Sequence, residues 1–180
     1  METLALVPHR DHPPLGVREI SVTPGPIRDN WLQLRWRIEG AGALVVPPFA
    51  GRGRADGLWR TTCFELFIAA GEGGGYCEFN LSPSERWAAY DFSGYREGMA
   101  ERAMPRDAAC GLRGSGDLVI FDAALPLAGL PPLPARCGLC AVVEEEGGRI
   151  SYWALAHPPG KADFHHPACF AATLAAPLGA

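Results

Sequence analysis

Apolar and polar residues alternate with a period of two along much of the chain, which is the spacing of β-strands. In residues 31–38 the even positions are apolar, and positions 33, 35 and 37 between them hold Gln or Arg. This pattern predicts a strand with one buried face and one solvated face. Residues 63–69 and 76–81 alternate in the same way, and the glycine-rich segment 71–75 between them predicts a β-hairpin.

The two strands of this hairpin each present an apolar side and a more polar side. Glu65 lies on the opposite side from the apolar residues of the first strand, and Tyr76, Glu78 and Asn80 share one side of the second strand. If the strands pair in register, these side chains lie beside one another. Two like charges that face each other are unfavourable, which suggests that Glu65 and Glu78 have a partner.

The remaining strand candidates are spread over the whole chain, whereas only two short stretches, 95–104 and 169–174, are compatible with a helix. The further candidates are residues 17–22, 43–46, 86–92, 118–124, 139–145 and 150–155. This number of strands, with no long helical pattern, predicts an all-β fold, either a sandwich or a partly open barrel. Of the two we expect an antiparallel two-sheet β-sandwich. We expect one domain over residues 17–180, preceded by an N-terminal extension over residues 1–16.

Composition narrows the class of protein. The 180 residues carry a formal net charge of −4, and the arginines form no basic run, so we expect no nucleic-acid partner. No apolar stretch approaches the roughly 20 residues that a membrane-spanning helix needs, and the first residues do not resemble a secretory signal. We therefore expect a cytoplasmic protein whose six cysteines are thiols, with Cys137 and Cys140 leading into a strand and forming neither a redox nor a zinc motif.

Aromatic and hydrogen-bonding residues are concentrated on the predicted strand faces away from the core. They include Trp59, Glu65, Glu78, Asn80 and Trp153. A flat ring suits the C–H face of a pyranose, and carboxylate and amide groups suit its hydroxyls, so this set predicts a carbohydrate pocket. The alternative for each Trp taken singly is packing in the core. A Glu65–Glu78 pair could also serve a glycosidase, but no other feature supports hydrolysis, and we expect no enzymatic activity.

A second polar cluster follows near the end of the chain, at Asp163, His165 and His166. These residue types could ligate a metal. Adjacent side chains on an extended segment point to opposite sides, however, so the two histidines are poorly placed to hold one ion. We expect a buried hydrogen-bonding role that anchors this part of the chain, and no metal site.

Several of these segments together resemble the bacterial DOMON-like proteins, which are related to the family 9 carbohydrate-binding modules. The resemblance covers about residues 17–175. The segments that carry it are Asp56-Gly-Leu-Trp59, Thr62-Cys-Phe-Glu-Leu-Phe67, Tyr76-Cys-Glu-Phe-Asn-Leu-Ser-Pro83, Trp87-Ala-Ala-Tyr90, Tyr152-Trp-Ala-Leu-Ala-His157 and Asp163-Phe-His-His166.

The resemblance implies a β-sandwich with a ligand pocket at one sheet and no catalysis. In the carbohydrate-binding modules two tryptophans enclose a terminal sugar; Trp59 matches the first of them, and Trp153 is the candidate for the second. Glu65 and Asn80 match the residues that bind hydroxyls, with Tyr76 as a neighbour. Glu78 stands where the family pattern has Arg, so a cation that would pair with Glu65 is replaced by an acid. A cytoplasmic member would bind a small sugar or sugar derivative.

Two alternatives of other classes stay open. The cytochrome members of the superfamily hold haem between Met and His, and the candidates here are Met99 or Met104 with His157, His165 or His166. An aromatic groove could instead bind another protein chain. Related modules can also hold calcium, for which the candidates are Asp56, Asp91 and Asp122.

Overall fold

A computed structural model describes residues 2–71 and 73–177. The all-β prediction is confirmed, because the described residues form strands and short 3₁₀ turns with no α-helix. The strands are β1 (Leu4–Pro8), β2 (Glu19–Pro24), β3 (Trp31–Glu39), β4 (Gly53–Arg54), β5 (Cys63–Ala69), β6 (Tyr76–Leu81), β7 (Arg86–Phe92), β8 (Ala100–Glu101), β9 (Ala109–Ser115), β10 (Leu118–Pro126), β11 (Ala135–Glu145), β12 (Arg149–Ala154) and β13 (Ala172–Leu174). None of the described segments is a helix long and apolar enough to cross a membrane.

The predicted hairpin and the strand after it have the predicted bounds, but three other predicted segments differ. The stretch 95–104 contains a turn and the short β8 instead of a helix, because Gly98 adopts a positive φ of 63° that ends any helical run. The stretch 169–174 ends a 3₁₀ turn and enters β13. The predicted strand over 43–46 is the end of a 3₁₀ turn and a single bridge between Leu44 and Glu145.

The strands form one continuous, strongly curled sheet, whereas the sequence predicted two separate sheets. Hydrogen-bonded neighbours follow the order β4-β7-β6-β5-β11-β12-β1-β2-β3-β10-β9, with β8 beside β7 and β13 beside β11. The sheet is mixed, because β4 pairs with β7 in parallel while the other pairings are antiparallel. Strand β1 lies inside the stretch expected to be an extension, yet it joins β12 to β2 and so links the two halves of the sheet.

The main core lies where the two halves of the curled sheet face each other. Phe64 of β5 stacks on Phe121 of β10 with ring centroids 4.2 Å apart, and Trp36 of β3 packs 5.5 Å from Phe64. All three side chains are fully buried. The apolar residues that alternate along the predicted strands therefore lie on the buried face, as the period of two predicts.

The segment after β1 is held by one buried carboxylate. Glu145, at the end of β11, is fully buried and accepts hydrogen bonds from the backbone N–H groups of Leu15, Gly16 and Val17, at 2.6, 2.7 and 3.0 Å. A carboxylate is stabilised by several backbone donors even without a cation. Glu145 thus fixes the N-terminal segment against the sheet.

Candidate functional site

The polar side chains of the predicted hairpin lie on the face of the sheet opposite the main core. Glu65 of β5 pairs directly with Asn80 of β6, and Phe67 pairs with Glu78, which in turn pairs with Tyr90 of β7. Glu65 and Glu78 are therefore diagonal neighbours on adjacent strands, and not directly opposite each other. The register predicted from the alternation brings both acids to one surface.

A cavity of about 740 Å³ lies over this surface. Its volume falls within the range of small-molecule sites. Its aromatic lining consists of Trp59, Tyr90, Phe92, Tyr152 and Phe164. Its charged lining consists of Asp56, Glu65, Glu78, Glu101, Asp163, Arg60 and Arg96. The cavity combines several rings with an excess of acidic groups.

A second depression of about 720 Å³ lies against β3, β9 and β10 and is more open to solvent. Two of its three arginines, Arg35 and Arg113, both bind Asp122, and the third, Arg52, lies 4.0 Å from Glu85. The cavity over β5, β6 and β7 is the stronger candidate, because its polar groups converge and are buried.

Glu65 and Glu78 form the deep end of the cavity. Their relative exposures are 3% and 6%. Burial, and then the neighbouring Glu78, raise the pKa of Glu65 well above its usual range. Burial also raises the pKa of Glu78, although the Asn80 amide and Arg96 act in the opposite direction. Both carboxyls therefore retain protons at higher pH than ordinary glutamates do.

Asn80 and Tyr76 lie behind the cavity wall and support it. The Asn80 side-chain amide donates to Glu78 Oε1 at 2.8 Å. The Tyr76 hydroxyl is hydrogen-bonded with His165 Nδ1 at 2.8 Å and accepts from the Arg96 backbone N–H at 3.1 Å. Both residues are buried and neither lines the cavity, so they position groups that do.

Trp59 stands at the mouth of the cavity. It belongs to the 3₁₀ turn Leu58–Arg60, and 53% of its surface is exposed. The Arg60 guanidinium lies 5.6 Å from the centre of its ring. The turn begins after Gly57, whose φ of 70° favours glycine. An exposed indole beside a cavity is an available apolar surface for a ligand.

The structure does not bring Trp153 to the cavity, so the predicted pair of tryptophans is not formed. Trp153 is 2% exposed and belongs to the main core, where its indole N–H donates to Ser151 Oγ at 2.9 Å. It pairs with Ala141, which pairs on its other side with the core residue Phe64. The preceding residue of β12, Tyr152, points to the opposite face of the sheet and lines the cavity instead.

The sequence analysis missed several residues of the site, among them Tyr90, Tyr152 and Arg96. Tyr90 donates to Asp56 Oδ1 at 2.5 Å, and Tyr152 faces the same space from β12. Tyr90 could have been found by extending the alternation from β6 to β7. Arg96 lies in an irregular turn after β7, and no periodic signal marks it.

The Asp163–His165 segment closes one side of the cavity. Asp163 accepts hydrogen bonds from the Arg96 guanidinium at 2.7 Å, from the His165 backbone N–H at 3.1 Å and from Tyr95. Burial, and then Arg96, lower the pKa of His165 to about 4. His166 lies outside the cavity, where its Nδ1 accepts from the backbone N–H of Ala168. The segment has the anchoring role expected from the sequence.

The haem candidates are scattered over the molecule. Only Met99 and His165 line the cavity, whereas Met104 packs at the main core and His157 binds the Val7 carbonyl. The excess of acidic groups in the cavity does not fit haem, whose propionates are also negative, and both nitrogens of His165 face other protein groups.

The calcium candidates also lie apart and have other partners. Asp56 binds Tyr90, Asp91 pairs with Arg102, and Asp122 pairs with two arginines. Within residues 2–71 and 73–177, no group of three or more His, Cys, Asp or Glu side chains is arranged to hold a metal ion.

All six cysteines are buried thiols. Cys137 belongs to the main core and Cys140 to the apolar cluster on the opposite face of the sheet. The side chains of Cys137 and Cys140 therefore point to opposite faces of the sheet. Burial raises the pKa of Cys137 to about 12 and raises that of Cys140 as well.

Comparison with known proteins shows a similarity of fold to a solved structure. A scan against protein families and a search of curated proteins each found no match. Among solved structures, the chain is similar to a proposed carbohydrate-binding protein from Bacteroides uniformis, at 14% sequence identity and a TM-score of 0.62. The match covers 93% of this chain and 83% of that one. The chain therefore has a fold like that of this neighbour over nearly its whole length.

Proposed function

We propose that the protein is a non-catalytic binding module of the DOMON-like β-sandwich type, which holds a small sugar or sugar derivative inside the cell. The observation that carries the proposal is the cavity itself. It places the exposed ring of Trp59 at the mouth and the buried carboxyls of Glu65 and Glu78 at the deep end. The neighbour from Bacteroides uniformis supports the proposal, because its own description is of a proposed carbohydrate-binding protein.

Each group has a role suited to a sugar. The Trp59 ring offers a flat apolar surface for the C–H face of a pyranose. The Glu65 and Glu78 carboxyls, which lie within reach of a bound molecule, exchange hydrogen bonds with its hydroxyls. Tyr90 and Tyr152 supply further apolar walls. A few polar groups in an otherwise aromatic cavity give orientation and specificity.

The absence of catalysis is part of the proposal, and the shared direction of the pKa shifts of the two acids supports it. A glycosidase needs one protonated and one ionised carboxyl, so the two environments must differ. Burial raises the pKa of both Glu65 and Glu78. Arg96 opposes the rise at Glu78, but its guanidinium is hydrogen-bonded to Asp163.

The test is a titration with a panel of monosaccharides, disaccharides and nucleotide sugars, followed by intrinsic tryptophan fluorescence and by calorimetry. We expect a saturable signal for one class of sugar. Trp59→Ala should weaken that binding by about tenfold or more, as loss of a stacking surface worth about 1.4 kcal/mol would do. The matched control is Phe49→Ala, because Phe49 is 73% exposed and does not line the cavity.

Two results would contradict the proposal. A flat calorimetric response over the whole panel would show that the cavity does not bind sugars. Equal affinity in wild type and Trp59→Ala would show that any sugar binds elsewhere. The bound sugar should also be recovered unchanged by NMR after prolonged incubation, since a hydrolysed product would contradict a non-catalytic role.

A further inference from the structure

The positive charges around the cavity are already committed to other groups. Five acidic side chains and two arginines line it. Arg96 binds Asp163 at 2.7 Å, and Arg60 lies over the Trp59 ring at the mouth. The deep end therefore holds two carboxyls and no cation of its own.

Two groups at the deep end have hydrogen-bonding capacity that the protein leaves unused, namely the Glu65 carboxyl and Oδ1 of Asn80, the residue paired with it on β6. Glu65 is 3% exposed and lines the cavity, and among the described residues no hydrogen-bond donor or cation lies within bonding distance of its carboxyl. Glu78 receives one hydrogen bond, from the Asn80 amide. His165 Nε2 is 3.8 Å from Glu78 Oε2, but its lowered pKa leaves the ring neutral at neutral pH. Buried carboxylates are normally paired, so a partner from outside would satisfy both.

Aromatic rings surround the same space. Tyr90, Tyr152 and Phe164 line it from three different parts of the chain, and Trp59 stands at its mouth. The faces of such rings attract cations, and rings combined with carboxylates are a common arrangement for binding ammonium groups.

On the basis of the proposed function, we propose that the ligand is an amino sugar with a free ammonium group, which binds between Glu65 and Glu78 while the sugar ring lies towards Trp59. The ammonium group donates to both carboxyls, and its single positive charge balances one ionised carboxylate while the pair keeps one proton. The other titratable or charged groups that line the cavity are Asp56, Arg60, Tyr90, Arg96, Glu101, Tyr152, Asp163 and His165, and Cys63 and Cys140 lie beside Glu65 on β5 and β11. The two arginines of this set contact Trp59 and Asp163, and the lowered pKa of His165 leaves its ring neutral.

The protonation of the two acids gives the proposal a distinctive signature. Burial raises the pKa of both carboxyls, so the pair holds its protons at higher pH than ordinary glutamates do. An ammonium group of charge +1 favours the ionised form of one carboxyl and displaces its proton on binding. A neutral sugar brings no charge and leaves the protons in place.

The experiment is calorimetry of the full chain with glucosamine, galactosamine and mannosamine, each beside its parent hexose and its N-acetyl form. It is run at about pH 6.5, where an amine of this type is protonated, in two buffers of different ionisation enthalpy. We expect one hexosamine to bind at least about tenfold more tightly than its two neutral counterparts. Its binding enthalpy should depend on the buffer, which reports proton release.

Glu65→Gln tests the role of the carboxyl. The variant should lose the preference and the proton release, so that the hexosamine and its parent hexose bind to it with affinities within about twofold of each other. The matched control is Glu97→Gln, because Glu97 is exposed and does not line the cavity. Circular dichroism and urea unfolding confirm that both variants are folded.

The outcomes separate the two proposals. Neutral sugars that bind as tightly as the hexosamines would overturn the amine site and leave the sugar-binding function intact. Ethylamine that binds as tightly as a hexosamine, with no binding of any neutral sugar, would support the cation site and overturn the sugar. No binding by any of these probes would overturn the amine site, and the sugar-binding function would then be decided by the wider panel of disaccharides and nucleotide sugars. A preference that survives Glu65→Gln would also overturn the proposed site.

Discussion

Replacement of Trp153 by alanine should destabilise the fold and leave the cavity unchanged, which reverses the expectation drawn from the sequence. The indole is 2% exposed in the main core, and loss of a core Trp costs about 3–5 kcal/mol. Ser151, which is fully buried, also loses the indole N–H that it accepts, at a cost of about 1 kcal/mol. The expected loss is therefore about 4–6 kcal/mol, a large part of the roughly 5–15 kcal/mol by which domains are stable.

The measurement is urea unfolding followed by far-UV circular dichroism, since the variant loses one of its fluorescent reporters. Trp153→Phe, which fills most of the space, should lose much less than Trp153→Ala. Tyr152→Ala is the matched comparison on the neighbouring residue, because Tyr152 is half-buried and lines the cavity. We expect it to lose about 1 kcal/mol of stability and to weaken ligand binding.

The reasoning would be refuted by the opposite pattern. If Trp153→Ala kept the urea midpoint of the wild type and lost its binding of a sugar, the indole would belong to the site. The two faces of β12 would then be exchanged, with Trp153 in the cavity and Tyr152 in the main core.

Three further predictions concern other buried groups. Glu145→Ala should lose about 3 kcal/mol in urea unfolding, because three backbone N–H groups lose their acceptor, and Glu145→Gln should lose less; unchanged midpoints would contradict this. The pKa of Glu65 is raised in the folded state, so its contribution to stability is present below its ordinary pKa of 4.5 and is lost as the pH rises towards the folded pKa. Between pH 5 and 8 the wild type should therefore lose more stability than Glu65→Gln. Equal slopes of stability against pH would refute the assignment. A thiol reagent should modify the native protein slowly and all six cysteines in denaturant, and rapid native labelling would show that a thiol is accessible.

The local part of the site could be predicted from the sequence. Alternation along β5 and β6 is enough to place Glu65, Glu78 and Asn80 on one face, because side chains of a strand alternate by geometry alone. The same rule separates Tyr152 from Trp153. Alternation alone does not say whether Tyr152 or Trp153 shares the face of Glu65. That depends on how β5 and β12 each pair with β11, where Ala141 lies between Phe64 and Trp153.

The rest of the site depends on contacts between distant parts of the chain. Arg96 and Asp163 meet through loops with no periodic pattern, so their pairing leaves no local mark in the sequence. Strand β9 was missed because glycines at positions 111 and 114 interrupt its apolar alternation. Strand β1 is short and ends in proline, so it was read as an extension although it lies inside the sheet.

The position of β1 also sets an order of events in folding. Its pairing with β2 is local, but Val7 pairs with Ala154 of β12, from the opposite end of the domain. Contacts between residues so far apart in sequence require a long loop to close and are formed slowly. Each half contains one long-range pairing of its own, β3 with β10 and β5 with β11, but both join strands that are closer in sequence than β1 and β12 are. We therefore expect the β1–β12 pairing to form late, so that mutations at this junction change the unfolding rate more than the folding rate.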